Sequence, residues 1–225
     1  MAARGGLSRF APLTGAIFVI LVVVGFAALG RSTPGVGASV TKVHSFYHAH
    51  HNREMAAAFV VAIASAFLLF FAAHLRSALA VANPAAVRMR RAAFGGGVVA
   101  VGGFLVASAG HFALADASRK AHVTLQALQA LNVLDNDLFL PLAGGIAVMI
   151  LASGISLVRS VTLLPHWLGW VAVVIGILGF TPVGFFAFLV SGLWLLVASV
   201  LLLGRWQAVV DADTPAVGGA PPPAY

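Results

Sequence analysis

The chain has 225 residues, of which 61% are hydrophobic and 8% are charged, and its mean hydropathy is +1.02. This composition excludes an ordinary soluble globular domain and indicates a protein surrounded by lipid. The net charge of +7 comes from short basic groups between apolar runs, which is typical of membrane topology rather than nucleic-acid binding. Because cysteine is absent, sulfur-ligated metals are excluded, and any metal ion would need His, Asp or Glu ligands.

The apolar runs predict an all-α fold, a polytopic membrane bundle of six transmembrane helices within residues 1–206. A basic start before the first run also resembles a signal peptide, but the later runs favour an uncleaved helix. Residues 207–225, rich in Pro, Gly and Ala, predict a disordered cytoplasmic tail. The predicted spans are 13–30, 55–75, 92–114, 138–158, 167–181 and 185–204.

The basic residues predict that both termini are cytoplasmic. With that orientation, eight cations lie inside and five lie outside, as the positive-inside rule requires. The inner set is Arg4, Arg9, Arg76, Arg88, Arg90, Arg91, Arg159 and Arg205, and the outer set is Arg31, Lys42, Arg53, Arg119 and Lys120.

The third span is rich in glycine. The pairs Gly96/Ala100 and Gly103/Ala107 have the spacing of small residues that allows helix backbones to approach closely in a membrane. The sequence therefore predicts that this span is a central packing helix.

Two inserts of some twenty residues, 31–54 and 115–137, lie outside the membrane in this topology, and each predicts a short amphipathic helix. In the first, Ser39 or Thr41 is the expected helix cap. In the second, the helix is expected along the membrane surface between Asp116 and Asp137. Its apolar side would carry Val123, Ala127, Leu131 and Leu134, with His122, Gln126 and Gln129 opposite.

The first insert holds four of the eight histidines. At about 100° per residue, His44, His48 and His51 share one narrow helical face with Tyr47. Three imidazoles so spaced predict a site for a divalent transition metal such as zinc. His111, Asp116, Asp135 and Asp137 would approach the same site if the inserts fold over each other. The alternative is a helix that faces solvent or lipid headgroups and whose histidines are merely polar.

Two short motifs resemble a group of proteins. Leu164-Pro165-His166-Trp167-Leu168-Gly169-Trp170 resembles a Leu-Pro-x-Trp-Leu-Gly-Trp signature of uncharacterised bacterial multi-pass membrane proteins, which more often have Arg at the position of His166. Residues 30–34 with 43–51 are similar to the first outer loop of that group. The resemblance implies a protein of the bacterial plasma membrane and no particular activity. Trp167, Trp170 and Trp206 suit an interfacial aromatic belt.

Three functions follow as hypotheses. The first is a non-enzymatic membrane component that binds a protein partner, a lipid or a metal ion through the histidine segment. The second is a metal-dependent membrane hydrolase in which Asp135 or Asp137 acts as the base. The third is a small-solute transporter, although no predicted span carries a charged residue in its middle. Small-residue helix faces suit contacts within one subunit or in a homo-oligomer equally.

Overall fold

A computed structural model describes residues 10–30, 32–82, 86–159 and 164–205. These residues form seven α-helices and one π-helical segment, with no strand among them. Several residues used above lie outside the described ones: Arg4, Arg9, Arg31, Trp206 and the tail 207–225. The helices are α1 (Leu13–Val23), continued by the π segment (Val24–Gly30), then α2 (Val40–Ala82), α3 (Val87–Ala117), α4 (Leu125–Asp137), α5 (Phe139–Val158), α6 (His166–Leu178) and α7 (Gly184–Gly204).

Four described helical stretches are long and apolar enough to cross a membrane. They are 40–80, 87–117, 125–158 and 184–204, while the apolar helices Leu13–Ala27 and His166–Leu178 are shorter. The predicted break between the last two spans is present, but α6 ends at Leu178, earlier than expected. The described residues therefore form an all-helical fold whose long apolar helices are those of a membrane protein.

The histidine segment is not a separate short helix, contrary to the prediction. It is the beginning of α2, which runs unbroken for 43 residues, or about 64 Å at 1.5 Å per residue. This is about twice the thickness of a bilayer hydrocarbon core, so α2 projects well beyond any membrane that it crosses. The Ser39 hydroxyl accepts a hydrogen bond from the Lys42 backbone N–H at 3.4 Å, as expected of a helix cap.

Small residues bring α3 and α5 together, as the glycine spacing predicted. A Cβ atom added at Gly103 would lie 2.5 Å from the backbone nitrogen of Leu142, and one at Gly96 would lie 2.5 Å from that of Met149. From the other side, a Cβ added at Gly145 would collide with the backbone of Ala100. Since α3 also packs along α2, it occupies the centre of the bundle.

The Leu-Pro-His-Trp-Leu-Gly-Trp motif starts α6. Leu168 is buried and its carbonyl accepts a hydrogen bond from the Trp194 indole of α7 at 3.0 Å. The ring of Trp167 is 56% exposed and that of Trp170 is 59% exposed. Both residues are therefore exposed at the start of α6, and their place in an interfacial belt stays a prediction.

The two inserts fold over each other, with α4 packed on the beginning of α2 and the end of α3. Three side-chain amides of α4 donate to backbone carbonyls before α2: Gln129 to Ala38, Asn132 to Gly35 and Asn136 to Pro34. The expected surface helix is shorter than predicted, and its buried side holds Leu128 and Asn132, whereas Leu134 is 51% exposed. These amide side chains set the orientation of α4, because each of them donates to a backbone carbonyl group of the segment that precedes α2.

Gly103 and Gly102 provide a matched test of the packing, since nothing lies within 4 Å of a Cβ atom added at Gly102. We expect Gly103→Ala to destabilise the folded protein by about 1–3 kcal/mol, because backbone atoms of α5 cannot yield. Gly102→Ala should be neutral or stabilising by up to about 1 kcal/mol. Unfolding of both variants in detergent measures this, and equal effects would contradict the packing.

Candidate functional site

The candidate site is built around Glu54, the only glutamate of the chain. Its side chain is fully buried, although it lies where the polar beginning of α2 meets the apolar part. Other residues on the same face of α2 as Glu54 are buried too. They include Val43 and Tyr47, about three and two turns before Glu54, and Val61, about two turns after it. Helical periodicity therefore directs Glu54 into the bundle.

His111 of α3 joins Glu54 to α4. Its Nε2 lies 3.1 Å from Oε2 of Glu54, and its Nδ1 lies 2.9 Å from Oδ2 of Asp135. The ring of Tyr47 meets the His111 ring edge to face, with their centroids 5.7 Å apart. One imidazole thus connects α2, α3 and α4. We call Glu54, His111, Asp135 and Arg53 the carboxylate–histidine cluster.

Charge balance favours a protonated imidazole in this cluster. Both carboxylates can accept a hydrogen bond from His111 only if both ring nitrogens carry hydrogen. Arg53 donates to the other oxygen of Glu54 from Nε at 3.2 Å and from one terminal nitrogen at 2.8 Å. Two carboxylates, one guanidinium and one imidazolium then sum to zero, which is the condition for keeping charges away from water.

A cavity of about 440 Å³ lies directly below the cluster. Its polar end is formed by Thr33, Ser108, His111, Asp135 and Asn136. The rest of its wall is apolar and comes from five helical elements, with Phe26, Ala58, Val61, Ala107, Leu142 and Phe185 among its residues. A concave, mostly apolar space with a few convergent polar groups is the usual form of a small-molecule site.

The hydroxyl of Ser108 faces the cavity and lacks a hydrogen-bond partner among the described residues. Ser108 is 6% exposed. Burying a hydroxyl without a partner is unfavourable, so a ligand or water in the cavity would stabilise it.

One wall of the cavity is the π segment Val24–Gly30, through Gly25, Phe26 and Gly30. A Cβ atom added at Gly25 would lie 2.5 Å from a methyl group of Val61, so glycine allows the segment to approach α2. π-Helical turns are rare and frequently occur at functional sites.

The three histidines predicted to hold a metal ion do not converge on one point in the described residues. The rings of His44 and His48 lie 5.5 Å apart, beside the turn that carries Arg119 and Lys120. His51 has its Nδ1 within 2.9 Å of the Ala115 carbonyl oxygen. Tyr47, expected on the same face, is fully buried, whereas His48 is exposed.

Of the acidic residues proposed as further ligands, only Asp135 reaches a predicted histidine, His111. Asp116 pairs with Lys120 at 3.4 Å, and Asp137 is exposed at the end of α4. Within the described ranges no group of three or more His, Asp or Glu side chains is arranged to hold a metal ion. The zinc site therefore stays a prediction without support from the geometry.

Sequence reasoning missed Glu54 and Arg53. A signal existed, because a lone glutamate lies on the helical face that Val43 and Tyr47 start and Val61 continues. His111, which contacts Glu54, lies 57 residues after it in the sequence. Asp135, which contacts His111, lies a further 24 residues along the chain.

No family model, no curated protein and no solved structure matches this chain. The resemblance to bacterial multi-pass proteins thus stays a prediction.

Asp135 and Asp137 offer a matched pair for testing the cluster, since both belong to α4 but only Asp135 contacts His111. We expect Asp135→Ala to lower the free energy of unfolding by about 1–3 kcal/mol, because a partly buried, charged hydrogen bond to His111 is lost. Asp137→Ala should change it by less than about 0.5 kcal/mol. Similar losses in the two variants would show that the cluster does not stabilise the fold.

Proposed function

We propose that this protein binds an amphiphilic small molecule at the outer end of a transmembrane bundle. The polar head of the ligand would lie against the carboxylate–histidine cluster, and its apolar part would lie between the helices. The observation that carries this proposal is the cavity beneath the cluster, which is polar at one end and apolar elsewhere. Its volume of about 440 Å³ is in the range of drug-sized ligands.

The polar end favours a head that donates hydrogen bonds. Asp135 and the carbonyl group of Asn136 are acceptors, and the Ser108 hydroxyl can accept as well as donate. A hydroxyl or an amine satisfies these groups, whereas a phosphate would face the Asp135 carboxylate. The expected ligands are therefore long-chain alcohols, amines or similar amphiphiles.

Binding is a better account of the site than acid–base catalysis. A histidine that acts as a general base needs one ring nitrogen free for the substrate. Both nitrogens of His111 lie against carboxylates, and the Nε2 partner is the fully buried Glu54. This supports the non-enzymatic hypothesis over a hydrolase. The proposed site also differs from the expected one, since it uses His111 rather than His44, His48 and His51.

The proposal includes the topology of six spans with cytoplasmic termini in a bacterial plasma membrane. The cluster and the basic residues of the α2–α3 junction support it. Glu54 and Arg76 lie about 33 Å apart along α2, close to the thickness of a bilayer core. The cluster then faces outward, and Arg76, Arg90 and Arg91 lie on the inner, positive side.

Three amphiphiles with the same chain, dodecanol, dodecylamine and dodecyl phosphate, test the proposal in thermal-shift titrations of detergent-purified protein. The cavity-filling variant Ala107→Leu isolates the cavity, and Ala109→Leu is its control because Ala109 is exposed. We expect saturable stabilisation by dodecanol or dodecylamine that Ala107→Leu abolishes and Ala109→Leu retains. If dodecanol and dodecylamine still stabilised Ala107→Leu, the proposal would be contradicted. It would also be contradicted if dodecyl phosphate bound to the unmodified protein and to Ala109→Leu but not to Ala107→Leu.

A further inference from the structure

A second cleft lies at the other end of α2 and α3, and three arginines surround it. Its volume is about 430 Å³, and Arg76 and Ser77 of α2 face Arg90 and Arg91 of α3 across it. The Arg76 guanidinium lies over the ring of Phe94, 5.4 Å from the ring centroid. This contact holds one arginine against an apolar floor while its donors stay available.

No carboxylate of the described residues compensates these cations. Glu54, Asp116, Asp135 and Asp137 all belong to the opposite end of the bundle. The distance along α2 from Glu54 to Arg76 is about 33 Å, far too long for an ion pair. The cleft is therefore a concentration of positive charge that no carboxylate among the described residues neutralises.

The helix geometry adds to this charge. α3 begins at Val87, which lines the cleft, and its first turn contains no acidic residue. The N-terminal end of a helix carries a partial positive charge that favours anions. Arginine forks bind phosphate oxygens in pairs, so three arginines around one cleft suit a phosphate group.

We infer that this cleft binds the phosphate of an anionic phospholipid headgroup. A lipid is favoured over a soluble phosphate because apolar side chains continue from the cleft along both helices. Phe70 on α2 is 62% exposed and Val98 on α3 is 44% exposed. Each lies about two helical turns from the cleft, towards the middle of its helix. They offer a surface for acyl chains once the headgroup is bound. Basic pockets between transmembrane helices bind anionic lipids in this manner.

The site is independent of the cavity beneath the carboxylate–histidine cluster, and its ligand has the opposite chemistry. Arg90 lines the cleft and Arg88 does not, although both are on the first turns of α3. Replacement of either residue by glutamine removes one positive charge. The pair therefore separates a specific site from the general attraction between a basic surface and anionic lipid.

Native mass spectrometry of the detergent-purified full chain tests the inference, with phosphatidylglycerol and phosphatidylcholine of identical acyl chains as probes. We expect the unmodified protein to bind one phosphatidylglycerol roughly tenfold more tightly than phosphatidylcholine. Arg90→Gln should weaken this binding about tenfold, the factor for a lost charged hydrogen bond, and Arg88→Gln less than twofold. Arg90→Lys should bind more tightly than Arg90→Gln, because it keeps the charge.

Three results would overturn the inference. They are equal binding of the two lipids by the unmodified protein, equal losses in Arg88→Gln and Arg90→Gln, and displacement of phosphatidylglycerol by millimolar inorganic phosphate. The last result would identify a soluble phosphate compound as the ligand. The comparison of the two lipids needs no variant, so it decides the matter even if Arg90→Gln fails to fold.

Discussion

The arrangement of the helices at the outer end of the bundle depends on the neutralisation of one buried negative charge, the Glu54 carboxylate, by neighbouring positive groups. A buried carboxylate is stable away from water only if opposite charges and hydrogen bonds replace its hydration. Arg53 does so on one oxygen and His111 on the other, and Asp135 completes the environment of His111. Because these residues come from three helices, compensation of the charge also fixes how the helices are arranged.

The apolar parts of the bundle could not fix that arrangement alone. Burial of apolar surface is non-directional, and in a membrane the close fit of small residues mainly sets the distance between helices. Gly96 and Gly103 bring α5 against α3 in this way. The position of α4 instead depends on directed bonds, from Asp135 to His111 and from Asn132 to the Gly35 carbonyl. Those hydrogen bonds hold α4, and with it the polar end of the cavity, against the helices that form its apolar walls.

Local patterns predicted the features that local physics decides. Apolar runs predicted the helices, the gap between the spans 167–181 and 185–204 predicted the break before α7, and the glycine spacing predicted the role of α3. The first insert was correctly predicted to contain a helix, but not that this helix continues into the apolar part of α2. The role of Glu54 was missed because His111 lies 57 residues away in the sequence, and no periodicity within α2 can indicate what a neighbouring helix presents. The same limit applies to Asp135, whose approach to a histidine was predicted only on condition that the inserts meet.

A double-mutant cycle between Glu54 and His111 tests the central claim most directly. The free energy of unfolding would be measured in detergent for the unmodified protein, Glu54→Gln, His111→Gln and the double variant. If the two residues compensate each other, each single change should be strongly destabilising and the double change should cost clearly less than their sum, with a coupling of about 1–3 kcal/mol. Additive effects within about 0.5 kcal/mol would contradict the claim that this pair of charges organises the outer end of the protein.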